Sequence, residues 1–91
     1  MSRDKLLELR EAAERCGLRP EVIERFIAFA WVQPRDAEQG LLDERDLSRT
    51  RLIWQLQEDL GVNDAGVDVI LELVDQLHFL SAAVEELKRR R

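Results

Sequence analysis

The sequence predicts a mainly α-helical protein with a helix-turn-helix, a short loop and one long C-terminal helix. Three observations support this prediction. Apolar residues recur every three to four positions in four segments, which is the spacing of one helical face. Gly17 ends the first segment and Pro20 opens the second, which leaves the short turn of a helix-turn-helix. A single helical pattern continues from Asn63 to Lys88.

Length and composition favour one small domain that interacts with a protein. A chain of 91 residues can bury only a thin core, so we expect a homodimer to supplement it. The net charge is −5, and 36% of the residues are charged. Because a nucleic-acid module normally carries a basic surface, this balance argues against DNA as the main ligand. It favours a partner with a basic surface.

The reactive side chains are too few and too scattered for catalysis or metal binding. Cys16 is the only cysteine and His78 the only histidine, so the chain has neither an internal disulfide nor a recognisable metal-ligand spacing. The hydroxyl residues lie in helical or capping contexts, and no glycine-rich loop is present. We therefore expect no catalytic residue, no metal and no cofactor, and Cys16 is predicted to be a small core residue.

The chain is predicted to be a cytoplasmic protein without membrane contact. No apolar run approaches the ~20 residues that span a bilayer, and the N-terminus lacks the apolar centre of a signal peptide. A single cysteine is typical of a reducing compartment.

The first two helices are predicted on either side of the turn at 17–19. The first covers residues 2–16, or alternatively begins near Leu9, with an extended start before it. The second begins at Pro20 and ends near Trp31, because Pro34 cannot continue a helix. Residues 33–43 then form a loop with room for a turn or a small β-hairpin.

The third helix is predicted to begin after Asp43, an N-cap with Asp46 as an imperfect capping-box partner. It runs to about Leu60, with Gly61 as its C-cap. The residues expected to face inward are Leu52, Ile53, Leu56 and Leu60. Leu47 and Trp54 are expected to point away from that face, where they can touch another element.

The last helix is predicted to begin at Asn63 and to carry two kinds of surface. At about 100° per residue, four acidic residues in its first half fall within a stripe of about 80° that also contains Phe79. That stripe consists of Asp64, Asp68, Glu72 and Asp75. A wide apolar arc comprises Val67, Ile70, Leu71, Val74 and Leu77, and a second strip comprises Val69, Leu73, Leu80 and Leu87. Between Arg51 and Lys88 the sequence has eight carboxylates and no Lys or Arg.

Each of these residues has an ordinary interpretation beside a functional one. The acidic stripe can be a solvated helix face, or it can bind a basic partner, and Phe79 can belong to the partner site or to a subunit interface. His78 lies on the apolar arc and is interpreted as a packed interface residue. Lys88–Arg91 is interpreted as a basic helix end that complements the negative end of the helix dipole. Residues predicted as core or dimer contacts are Trp31, Trp54, Val74, Leu77 and His78.

Several runs of the sequence resemble the MerR-type winged helix-turn-helix. They are CGLRPEVI (16–23) at the turn, VQPR (32–35) at the exit into the wing and LDERDL (42–47) at the entry into the next helix. QEDLGVNDAGV (57–67) is similar to the turn before the last helix of that family. Within this superfamily the chain most resembles the chaperone modulator CbpM family, through GVDVILELVDQL (66–77) and the acidic composition.

The resemblance implies a degenerate MerR-like winged helix-turn-helix with a short wing and a long C-terminal helix. It also implies a function. Chaperone modulators bind the J domain of a DnaJ-like, curved-DNA-binding co-chaperone and inhibit its co-chaperone and DNA-binding activities. A J domain presents a basic helix that normally engages an acidic surface of its Hsp70. The stripe with Phe79 would be the partner-binding surface.

The chain departs from the DNA-binding members of the superfamily where they read DNA. The run EVIERF (21–26) carries two acids and one arginine, and the wing RDAEQ (35–39) does the same, which makes a poor phosphate clamp. Trp31 stands where glycine is usual, and Arg19 where serine is typical. Direct nucleic-acid binding is therefore expected to be unlikely.

We expect residues 1–62 to form the winged helix-turn-helix region and 63–91 the long helix, within one compact domain. The leading hypothesis is a chaperone modulator that binds a J domain. The alternative is a MerR-like DNA-binding transcriptional regulator. A third hypothesis is a dimeric adaptor for some other basic protein.

Overall fold

The computed structural model describes residues 5–90, where four α-helices are joined by short connections and β structure is limited to isolated bridges. The helices are α1 (Leu9–Cys16), α2 (Pro20–Ala28), α3 (Glu44–Glu58) and α4 (Asp64–Arg89). The predicted mainly α-helical fold is confirmed. The chain divides into two compact units, Met1–Gly61 and Val62–Arg91.

The chain enters α1 in an extended conformation. The N–H of Leu7 donates to the carbonyl of Leu42 at 2.7 Å, and the N–H of Leu42 donates back at 2.8 Å. This pairing confirms the alternative in which the helix begins near Leu9, while residues 2–4 of the longer alternative lie outside the described residues. Gly17 ends α1 in the left-handed region at φ 71°, as predicted.

The helix α2 ends three residues earlier than predicted. Ala30 adopts a left-handed conformation with φ 63°, and the next N–H, that of Trp31, donates to the carbonyl of Phe26 at 2.9 Å. These features define a Schellman ending, in which the left-handed position normally belongs to glycine. In this chain that position is Ala30, one residue before Trp31.

This early ending brings Trp31 into the core. Its indole is 5% exposed and lies between Phe26 and Phe29, with ring centroids 5.8 Å and 4.8 Å away. The Nε of Arg49 donates to the carbonyl of Trp31, which connects the α2 exit to α3.

The loop between α2 and α3 forms a tight turn, one of the two forms expected from the sequence. Asp36 pairs with Leu41 in one antiparallel bridge, and Gly40 closes the turn at φ 71°. The following residue, Leu42, pairs with Leu7, so the N-terminal segment forms a second edge of this short wing.

A reciprocal capping box begins α3. Oδ1 of Asp43 accepts from the N–H of Asp46 at 2.9 Å, and Oδ2 of Asp46 accepts from the N–H of Asp43 at 3.0 Å. The same Oδ2 accepts from the N–H of Arg35 in the wing at 2.9 Å. One buried carboxylate thus holds both the helix start and the wing, a role beyond the capping that the sequence predicted.

On α3, Leu47 is fully buried and Trp54 is half-buried. One prediction about the faces of this helix was wrong, because Leu60 was expected to face inward and is 70% exposed. The helix ends at Glu58, so helical spacing no longer governs the side chain at 60. Ile53 and Leu56 are buried as predicted, and Leu52 is half-buried. The buried apolar side chains of the front unit are Leu7, Ala12, Ala13, Ile23, Phe26, Trp31, Val32, Leu42, Leu47, Ile53 and Leu56.

We expect Ala30→Gly to raise the free energy of unfolding by roughly 1 kcal/mol. A left-handed conformation costs an L-residue about 1–2 kcal/mol, while the extra freedom of glycine in the unfolded chain offsets about 0.4–1 kcal/mol of the relief. Urea denaturation measures the difference. As a matched control, Ala82→Gly in the middle of α4 should lower the same quantity by about 1 kcal/mol. A less stable Ala30→Gly protein would contradict the prediction.

Replacing Asp46 should separate its acceptor role from its charge. Asp46→Ala leaves the N–H groups of Asp43 and Arg35 without their acceptor and should lower the free energy of unfolding by about 2–3 kcal/mol. Asp46→Asn keeps one oxygen that can accept both bonds, and it should stay within about 1 kcal/mol of the wild type. Equal losses in the two variants would mean that these hydrogen bonds do not hold the wing.

The stability of the Asp46→Asn variant should also depend on pH differently from that of the wild type. Burial raises the pKa of Asp46 above its ordinary value of 3.8, although hydrogen bonds from the backbone of Asp43 and Arg35 oppose the rise. The pKa of Asp46 is higher in the folded chain than in the unfolded chain. Its protonated carboxyl group therefore stabilises the fold at low pH, and this stabilisation is lost as the pH rises through the folded pKa. Denaturation across the acid range should therefore show that the free energy of unfolding of Asp46→Asn rises relative to that of the wild type as the pH increases above 3.8.

Candidate partner-binding surface

A side-chain cap fixes the start of α4. Oδ1 of Asn63 accepts from the N–H of Gly66 at 2.8 Å, as the sequence predicted. Position 66 suits glycine because a Cβ there would lie 2.7 Å from Cγ1 of Val62. From this start the helix runs without a break to Arg89, so the positions of its residues around the axis follow from their numbers.

The four predicted acidic residues occupy one exposed side of α4. Asp64, Asp68 and Glu72 follow one another at intervals of four, and Asp75 comes three residues later; all four are exposed. Like charges at this spacing disfavour an isolated helix by about 0.2–0.5 kcal/mol per pair. The stripe (Asp64, Asp68, Glu72 and Asp75) therefore presents concentrated negative charge to solvent over about three turns.

Phe79 continues the acidic stripe toward the C-terminus. It lies one turn beyond Asp75, and its side chain is 73% exposed. Exposing a phenylalanine forgoes about 1.5–3 kcal/mol of burial, so its position among carboxylates is a feature that a purely solvated face would not need.

The residues predicted as core or dimer contacts fall into two groups. Trp31 is buried in the front unit, and Trp54 and Val74 are half-buried. Leu77 is 63% exposed, and His78 is exposed as well, so the chain on its own does not cover them. The buried residues of α4 are Val67 and Leu71, both near its beginning.

A heptad pattern in α4 was missed at the sequence level. Six apolar residues follow one another at intervals of three, four, three, four and three, and five of them are 49–65% exposed. In heptad terms Ile70, Leu77 and Val84 are a positions, and Leu73, Leu80 and Leu87 are d positions. The wheel at 100° per residue divided this seam between two strips and left out Val84, whereas a count at a period of 3.5 finds it.

The part of the fold that would read DNA carries mixed charge. Glu21 and Glu24 are exposed on α2, and the guanidinium of Arg25 lies 5.6 Å from the ring centroid of Phe26. In the wing, Arg35 and Glu38 are both exposed. Such a surface lacks the cluster of basic side chains that neutralises phosphates.

The described residues offer neither a metal site nor a membrane span. Between residues 5 and 90, no three His, Cys, Asp or Glu side chains converge closely enough to hold a metal ion. Over the same range, no helix has both the length and the apolar character needed to cross a membrane.

These features define a helix-turn-helix protein with a short wing and an extended, two-surfaced C-terminal helix. A family model described as MerR HTH family regulatory protein matches residues 7–89. The chain belongs to this family, and the predicted MerR-like fold with a short wing and a long C-terminal helix is confirmed.

A curated relative supports the same placement. The chain is 36% identical over 78 residues to a putative heat shock protein HspR of Streptomyces coelicolor. The match covers 84% of this chain and 52% of that protein, so the chain spans about half the length of the relative. Family and relative together identify a MerR-type regulatory protein or a close relation of that class.

Proposed function

We propose that this chain is a chaperone modulator that binds the J domain of a DnaJ-like, curved-DNA-binding co-chaperone and inhibits its co-chaperone and DNA-binding activities. The observation that carries the proposal is the exposed acidic stripe on α4, in a family member whose DNA-reading surface has mixed charge. The name of the relative, a heat shock protein, is in keeping with a role beside chaperones.

The stripe has the sign and the length that such an interaction needs. A J domain uses a basic helix to engage the acidic surface of its Hsp70, and an acidic helix can occupy that face by competition. At about 1.5 Å per residue, the distance from Asp64 to Phe79 is about 22 Å, comparable with a helix of four turns. Binding would block access of the J domain to Hsp70 by mass action.

The proposal includes a homodimer formed through the heptad seam of α4 (Ile70, Leu73, Leu77, Leu80, Val84 and Leu87). Leucine at every d position, with Ile, Leu and Val at the a positions, is a composition that supports two-stranded coiled coils. A small domain with a thin core gains stability from such burial. The seam accounts for apolar side chains that would otherwise face water along more than two heptads.

The alternative is a MerR-like DNA-binding regulator, favoured by the family itself and by the helix-turn-helix of α1 and α2. The two functions differ in a measurable way. A DNA reader binds a specific duplex at physiological salt with a steep dependence on ionic strength, because it displaces counterions from phosphates. Tight, sequence-specific duplex binding by this chain would promote the alternative.

Charge reversal tests the partner site. The double variant Asp68→Lys, Glu72→Lys should weaken binding to the isolated cognate J domain by about tenfold or more, with the wild-type affinity falling as salt rises. Calorimetric titration at low and high salt measures both effects. Glu58→Lys, Asp59→Lys is the matched control: it changes the net charge equally at two exposed residues of the front unit and should leave affinity within about twofold. Absence of wild-type binding at micromolar concentrations would rule out the modulator function.

Charged substitutions in the seam test the homodimer. We expect the wild-type chain to sediment as a dimer and Leu77→Lys, Leu80→Lys to sediment as a monomer, because lysine at a and d positions removes the apolar contact. The control is Leu60→Lys, at an equally exposed leucine outside the seam, which should remain dimeric. A monomeric wild-type chain at high micromolar concentration would contradict the proposal.

A further inference from the structure

The helix α4 has three separate faces. At about 100° per residue, the buried residues Val67 and Leu71 lie near 320° when Asp64 is set to zero, and the heptad seam is centred near 190°. Phe79 lies near 60°, among the acidic residues. Phe79 is therefore about 100° from the buried face and about 130° from the seam. In the heptad it occupies a c position, which stays exposed in a two-stranded coiled coil.

The ring of Phe79 is uncovered for a structural reason. Side chains on a helix lean toward its N-terminus, so this ring lies over the turn that contains Asp75 and Gln76. The residues placed one turn later, which would lean over the ring, are Ala82 and Ala83, and their methyl groups are too short to cover it. The 73% exposure of Phe79 is the highest among the exposed large apolar side chains of residues 5–90.

The charge along the helix differs between the two sides of Phe79. Toward the N-terminus come Asp75 and Glu72, both exposed acids. Toward the C-terminus Glu86 pairs with Arg89 at 3.4 Å and with Arg90 at 3.5 Å. The ring therefore marks the boundary between an acidic segment and a segment that carries both acidic and basic side chains.

We infer that Phe79 is the apolar anchor of the partner site and inserts between apolar side chains of a basic amphipathic helix. The basic residues of that helix lie along the acidic segment that precedes the ring. The inference rests on the proposed function, in which the occupant is the basic helix of a J domain. Because the seam leaves Phe79 open, each copy in a dimer carries one complete site, and one dimer binds two partners.

The test compares Phe79→Ala with Leu60→Ala, which removes an equally exposed side chain (70%) outside the site. Two probes are titrated calorimetrically: the isolated cognate J domain, and a lysine-rich amphipathic helical peptide of about 20 residues with one leucine face. A peptide of the same composition with its leucines dispersed is the control for charge alone. Phe79→Ala should weaken binding of the J domain and of the amphipathic peptide by about tenfold or more, and Leu60→Ala by less than about twofold.

Three further readouts separate an anchor from other roles. The loss caused by Phe79→Ala should persist at high salt, because the contact is apolar, whereas losses from charge reversal shrink. Sedimentation should show an unchanged dimer, and the stoichiometry should be one J domain per chain. Circular dichroism should be unchanged, since alanine favours a helix at an exposed position.

The outcomes distinguish the inference from the proposed function. If the J domain does not bind but the amphipathic peptide binds in a Phe79-dependent way, the proposed partner is wrong and the anchor stands. If Phe79→Ala keeps full affinity for every probe, or if neither probe binds the wild-type chain, the anchor is overturned. A monomeric Phe79→Ala protein, or one partner bound per two chains, would place the ring in the subunit contact and overturn it as well.

Discussion

Two buried carboxylates at the start of α3 organise the front unit. Asp43 and Asp46 cap each other's backbone, and the oxygen of Asp46 that accepts from Asp43 also accepts from the N–H of Arg35 in the wing. This arrangement draws Leu42 and Leu47 inward on either side of the cap. It also places Leu42 where it can pair with Leu7, so the first residues before α1 depend on the same contact.

The long helix carries three different surfaces around its axis. One face is buried at its beginning, a second carries the heptad seam, and a third carries charge with one aromatic ring. In the proposed function, this helix carries the partner site, and the helix-turn-helix does not contact the partner. Its own exposed surface on α2 and in the wing carries both acidic and basic side chains.

Local sequence signals predicted the elements well and the side-chain environments less well. Gly17, Pro20, Asp43 and Asn63 marked the ends of helices correctly, because each acts through its own backbone or side chain. The end of α2 was missed because Ala30 occupies a position that glycine normally marks. An alanine in a sequence does not indicate that its position will adopt a left-handed conformation.

The sequence predicted the charge of the candidate site, but it did not predict the arrangement of the apolar residues on α4. The acidic stripe follows from spacing alone, and the structure places all four residues on the exposed side. The seam was divided because a period of 3.6 residues drifts relative to a repeat of 3.5 over several turns. Leu60 was misplaced for a different reason, since the helix ends at Glu58 and its spacing no longer decides which way residue 60 faces.

Cys16 has a consequence for how copies of this chain can associate. Its thiol faces the carbonyl of Leu47 at 3.9 Å, and burial raises the pKa of the thiol, although Arg51 and Arg15 act in the opposite direction. The sulfur therefore stays protonated near neutral pH and is a poor nucleophile. A dimer formed through the seam would therefore be held without a covalent bond, and its population would follow the concentration of the chain.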